Sequence, residues 1–113
     1  MIDKEYIASE IVKKLKPLNP SKIVLFGSYA YGSPTENSDI DVYVVTQDDF
    51  IPKTWREKMD LKLPFSQALR ELKAHYDIDL IAHTKKMHQK FVELNSTLSR
   101  EIQTKGHIIY GEK

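Results

Sequence analysis

Two aspartates separated by one isoleucine, Asp39-Ile40-Asp41, run directly into Val42-Tyr43-Val44-Val45. The β-branched and aromatic run reads as a strand over 39–45. In a strand, residues i and i+2 point to the same face, so Asp39 and Asp41 project side by side. Ile40, Val42 and Val44 then point to the opposite face, into a core. Two ionised carboxylates roughly 4 Å apart repel by about 4 kcal/mol at an effective dielectric of 20. A fold holds such a pair if one carboxylate is protonated, if both face water, or if a cation sits between them. Magnesium is the natural cation, being hard and preferring carboxylate, water and phosphate oxygens. The strand is expected to be anchored by its apolar face and to present acids on the other.

Asp77-Ile78-Asp79-Leu80-Ile81-Ala82 alternates in the same way and reads as a further strand. If it lies beside the first, Asp79 completes a three-carboxylate cluster. Asp77 shares its parity and is the rival; Asp79 is preferred because apolar neighbours hold it on both sides. Lys22-Ile23-Val24-Leu25-Phe26 reads as a buried strand closed by Gly27. A glycine there lets the backbone turn and lets a ligand approach, and Ser28 adds a hydroxyl and an N–H suited to phosphate. This is not a Walker loop: Ser33 and Pro34 follow Gly32 where lysine and Ser/Thr are required. Nor is it a dinucleotide fingerprint.

Elsewhere, Ile7, Ala8, Ile11, Val12 and Leu15 recur at helical spacing, with Asp3 as N-cap and Pro17 and Pro20 ending the helix. Residues 33–38 are turn chemistry. The stretch 48–64, bracketed by Pro52 and Pro64, reads as a short helix and a loop. The helical period returns from Phe65 through Leu69, Leu72 and Tyr76. Thr84 caps a helix with Met87, Phe91, Leu94, Leu98 and Ile102 on one face, and Asn95-Ser96 is its candidate break. Gly106 stops it, and His107–Tyr110 reads as a last short strand. The order predicts an α/β (α+β) fold in which helices cover a small mixed sheet.

The 113 residues fit one domain, 1–113, and 41% apolar content is enough for a core. Lysine plus arginine total 17 against 16 acids, and this balance gives no support for direct nucleic-acid binding. Cysteine is absent, which excludes disulfides and thiolate chemistry and suits a cytoplasmic protein. The N-terminus lacks a signal-like apolar run, and no stretch approaches the roughly 20 apolar residues of a membrane span.

Gly27-Ser28-Tyr29-Ala30-Tyr31-Gly32 followed by Ser38-Asp39-Ile40-Asp41 resembles the signature of the polymerase-beta-like nucleotidyltransferases, most closely the minimal ones that act as antitoxins to helical HEPN toxins. The ending from Glu101 to Gly111 is similar to that family's tail. The resemblance implies that Asp39, Asp41 and Asp79 are catalytic and hold two magnesium ions. It implies nucleotide contacts at Gly27, Ser28 and Ser38, with ATP as substrate. It also implies AMP transfer to a tyrosine of a HEPN-type toxin. Tyr31 departs from the pattern, since many relatives carry arginine beside the second motif glycine. The larger members carry an extra helical region for the acceptor, and 113 residues leave no room for one, which suits a protein acceptor.

Other readings compete. The chain is alternatively a non-catalytic antitoxin that neutralises by occlusion, or a small-molecule nucleotidyltransferase of the antibiotic-modifying type. His83 and His88 read as solvent-exposed side chains, since nothing supplies a full zinc set. Lys85, Lys86 and Lys90 read as a solvated helix face. The Met87–Ile102 stripe reads as core, part of it available to a partner, with Trp55 and Tyr29 as candidate exposed anchors.

Overall fold

The computed structural model describes residues 4–27 and 39–111. Asp3, Ser28, Tyr29, Tyr31 and Ser38 lie outside them. Helix α1 (Lys4–Leu15) buries Ile7, Ile11 and Leu15, and a 3₁₀ turn (Lys16–Leu18) ends it at Asn19, which adopts φ 53°. Strand β1 (Lys22–Phe26) and strand β2 (Ile40–Val45) follow. Helix α2 (Trp55–Ala68) leads into the single turn α3 (Arg70–Lys73) and then strand β3 (Ile78–His83). Helices α4 (Lys85–Leu94) and α5 (Thr97–Lys105) precede strand β4 (His107–Gly111).

The four strands form one mixed sheet in the order β3-β2-β1-β4. Strand β1 pairs antiparallel with both β2 and β4, while β2 and β3 run parallel. A parallel pair needs a crossover, and α2 with α3 supplies it. Each face carries its own core. On one, Ile23, Leu25, Ile40, Val42, Val44 and Leu80 pack against α1, α2 and α3. On the other, Val24, Phe26, Tyr43 and Val45 pack against Ile102 and Phe91 of α5 and α4. The expected division of β2 into an apolar face and an acidic face therefore holds only at its start. Beyond Asp41 both faces are buried, as they are for central strands covered by helices on both sides.

Residues 55–68 correct the sequence reading. Within 48–64 the loop holds up to Thr54, but the helix is not short: it runs 14 residues and continues through Pro64. Thr54 caps it by accepting from the Glu57 N–H at 3.1 Å, and Glu57 Oε2 accepts from the Lys53 N–H at 2.7 Å. An interior proline costs about 3 kcal/mol. Burial of Leu61, Phe65 and, just past the helix, Leu69 offsets that cost, since each fully buried large apolar side chain contributes about 1.5–3 kcal/mol. The candidate break at Asn95-Ser96 is real: Asn95 takes φ 52° and Ser96 caps α5. The stripe across α4 and α5 is only partly core. Ile102 is buried and Phe91 half-buried, but Leu94 is 74% exposed and Leu98 also faces out, because the break rotates α5 relative to α4.

Candidate active site

Strand pairing decides which acids meet. Asp41 stands opposite Phe26 on β1 and opposite Asp79 on β3. In parallel neighbours in register, side chains at matched positions share a face. Asp41 is half-buried, Asp79 is exposed, and Asp39 lies exposed one residue before β2. Asp77 precedes β3, where its carbonyl accepts from the Ile40 N–H at 2.8 Å. Of the two rival aspartates, Asp79 is thus the one opposite Asp41.

The Asp41 carboxyl is pushed up to about 6 from its ordinary 3.8, first by burial and then by the negative charges of Asp79, Asp39 and Glu101. Glu101 is a fourth acid at the site that the sequence reading missed. It is half-buried on α5, next to the buried Ile102. The available signal was its place directly beside the apolar stripe, which keeps an acid close to the sheet. Among the described residues no three His, Asp or Glu side chains are gathered closely enough to hold a metal ion between them. The carboxylates nevertheless suit magnesium, which takes one or two carboxylates and completes its shell with water and phosphate. A raised carboxyl pKa beside like charges is the electrostatic demand that a cation would meet.

Because this folded-state pKa lies above that of the unfolded chain, the site stabilises the fold fully below about pH 4, and the contribution is lost as pH rises through about 6. Without divalent cations, Asp41→Asn is therefore expected to gain stability over the wild type as pH rises from about 4 to about 7, on the order of 1 kcal/mol after allowance for solvent screening. Urea midpoints at the two pH values, taken in chelator, check it.

Gly27 follows β1 directly and adopts φ +80°. A Cβ built there would overlap Asp41 Oδ2. The glycine thus lets the chain turn and leaves the Asp41 carboxylate its space. The expected nucleotide contact at Gly27 is placed beside the acids; those at Ser28 and Ser38 fall outside the described residues.

Further along the same face, the buried Tyr43 hydroxyl lies 2.9 Å from His83 Nδ1 and 2.8 Å from His88 Nδ1. The two histidines are therefore half-buried polar partners of Tyr43, contrary to the solvent-exposed reading, because α4 folds over the end of β3 that carries His83. One ring must accept from the phenol and the other donate to it. Burial holds His83 down to about 4 and His88 below its ordinary value, with each lowered further by a nearby cation or imidazole. Tyr43→Phe strands both Nδ1 atoms, and an expected loss of about 1–3 kcal/mol is read from thermal or urea unfolding.

The chain matches the family model "Polymerase beta, Nucleotidyltransferase" over residues 9–113. It is 33% identical over 89 residues to a putative protein adenylyltransferase of Methanocaldococcus jannaschii, a match covering 79% of this chain and 77% of that one. Among solved structures it is similar to a toxin–antitoxin with AMP-PNP, at TM-score 0.60 and 26% identity, covering 94% of this chain and 74% of the other. A second similar fold, from the toxin–antitoxin MntA–HpeT, has TM-score 0.57 and 23% identity and covers 99% and 76%. The mixed sheet and the Gly-Ser, Asp-x-Asp signature thus define a nucleotidyltransferase. The chain belongs to the polymerase-beta nucleotidyltransferase family.

Proposed function

We propose that the chain transfers AMP from ATP to a hydroxyl of a protein partner, a tyrosine of a helical HEPN-type toxin, and so acts as an antitoxin. The observation that carries the reading is Asp41 in register with Asp79 beside the side-chain-free Gly27. The relative named a protein adenylyltransferase and the similar toxin–antitoxin with AMP-PNP support it. In this reading Asp39, Asp41 and Asp79 hold two magnesium ions, whose chemistry when bound is to neutralise the triphosphate and the charge that develops on it. Gly27 and Ser28 take the β- and γ-phosphates, and Ser38 is assigned to the nucleotide with them. Asp79, the more exposed of the two facing carboxylates, takes the proton of the acceptor hydroxyl. The bond from that oxygen to the α-phosphorus forms, the bond to the β-phosphate breaks, and pyrophosphate leaves.

A protein acceptor also suits the surface. Trp55 is 76% exposed, and Met59 and Leu63 follow it at one-turn steps on the outer side of α2. Exposed aromatic anchors of this kind are enriched at interface cores. Trp55→Ala is expected to shift stability by less than about 0.5 kcal/mol, since the side chain is solvated, and to cost at least about 2 kcal/mol in binding the partner. Thermal unfolding and titration calorimetry separate the two.

The deciding experiment uses magnesium and ATP labelled on the α- or the γ-phosphate, with lysate of the source organism, beside an Asp39→Ala, Asp41→Ala variant. One protein band taking only the α-label, and none with the variant, is the expected result. Partner binding without any labelling would overturn the transfer reading in favour of occlusion.

A further inference from the structure

Strand positions 22, 24 and 26 point to the α4/α5 side of the sheet, as Val24 and Phe26 do in that side's core. Phe26 is level with Asp41, but Lys22 is level with Val45, four residues along β2. At about 3.3 Å per residue the Lys22 end lies roughly 13 Å from the carboxylates. Two adjoining cavities open there. The inner one, about 490 Å³, is walled mainly by Val24, Tyr43, Val92, Ile102 and Ile108. The outer one, about 630 Å³, is polar and includes Ser21, Gln47, Lys85 and Tyr110. Lys22 and His88 line both, which makes them the partition between an apolar chamber and a polar mouth.

Among the described residues no acidic side chain lines either cavity, although the chain as a whole carries 16 acids against 17 bases. Among the described residues neither the Lys22 nor the Lys85 ammonium has a carboxylate partner. His88 is fixed through Nδ1 by the buried Tyr43 hydroxyl, which leaves its Nε2 without a hydrogen-bond partner among the described residues. Two uncompensated ammonium groups in a concave wall concentrate positive potential and favour a dianion over a monoanion. The apolar chamber behind them has the volume range of small-molecule sites and suits one ring-sized body.

We propose that this cleft binds a phosphate monoester of an apolar alcohol, with the organic body in the Val24–Val92–Ile102 chamber and the phosphate against Lys22, Lys85 and His88. The site is separate from the carboxylates and does not depend on the reaction assigned to them.

The test is titration of 1-naphthyl phosphate into the full chain in chelator, followed by calorimetry, with inorganic phosphate and 1-naphthol as the two half-probes. Naphthyl phosphate is expected to bind at least about tenfold more tightly than either half-probe, the equivalent of about 1.4 kcal/mol. Lys22→Gln weakens it at least about fivefold, Val92→Trp removes it by filling the chamber, and Asp41→Asn leaves it unchanged. Circular dichroism confirms that each variant is folded; should Val92→Trp fail to fold, Lys22→Gln and Lys85→Gln decide alone. Equal affinity for inorganic phosphate, indifference to both lysine variants, or an affinity that follows Asp41→Asn would overturn the proposal.

Discussion

Asp41→Asn is expected to lower nucleotidyl transfer by about 10²–10³-fold while leaving the fold intact, a loss of the size seen when a preorganised electrostatic group is removed. Asparagine matches aspartate in volume, so the contact with Gly27 and the pairing with Phe26 and Asp79 survive. What disappears is the charge. In the wild type, burial and three neighbouring acids hold the Asp41 carboxyl at about 6, so at pH 7.5 it is mostly ionised and attracts a cation strongly. The asparagine amide offers a weaker neutral oxygen, and excess magnesium is not expected to rescue it. Single-turnover assays with α-labelled ATP, over a range of magnesium concentrations, measure the effect. Activity within tenfold of the wild type would remove Asp41 from the catalytic set. The pH dependence adds a second signature: the wild type's affinity for magnesium should fall as pH drops through about 6, as the metal-free Asp41 carboxyl gains its proton.

Gly27→Ala is expected to cost about 10²-fold in activity, the scale associated with a 1 Å misplacement of reacting groups. It should also cost about 1–2 kcal/mol in stability, because an L-residue is strained at this positive φ. Two effects act at one atom. The new methyl group overlaps Asp41 Oδ2 and must displace the carboxylate, and φ +80° penalises any Cβ. The two are separable. Gly27→Ala with Asp41→Gly relieves the overlap but keeps the backbone strain, so stability measured on both variants apportions the loss. A single variant with wild-type activity would show that the Asp41 position tolerates displacement.

Much of this site was legible in sequence because strands have a period of two. Asp39-Ile40-Asp41 beside a β-branched run predicts two acids on one face, although the strand itself begins at Ile40 and Asp39 stands just before it. Asp77 and Asp79 share a parity, so only the register, Asp41 opposite Asp79, could rank them, and register is a property of pairing. Glu101 was not legible. Its contribution to the Asp41 environment arises because α5 lies over the same face of the sheet, an electrostatic influence between positions 60 residues apart in sequence. The histidines misled for a similar reason. A histidine at a strand end or on a polar-looking helix reads as solvated, and only the packing of α4 over β2 and β3 brings His83 and His88 to the Tyr43 hydroxyl. Pro64 misled locally: its missing N–H argues against a helix, but the Thr54 cap and the buried Leu61 and Phe65 carry α2 through it.

What the sequence by itself determined is therefore the local chemistry. It set the strand at 22–26 and the one read over 39–45 and found at 40–45, the glycine that must turn after the first, the parity of the acids, the Thr84 cap and the break at Asn95-Ser96. These rest on interactions within a few residues, whose geometry the backbone period dictates. The tertiary structure alone decided the strand order β3-β2-β1-β4, the facing of Asp41 by Asp79, and the burial of β2 on both sides. It also placed Lys22, Lys85 and His88 around one cleft. Each of these joins segments far apart in the chain, and such pairings are chosen by the shared burial of apolar surface, a sum over the whole fold that no local pattern contains.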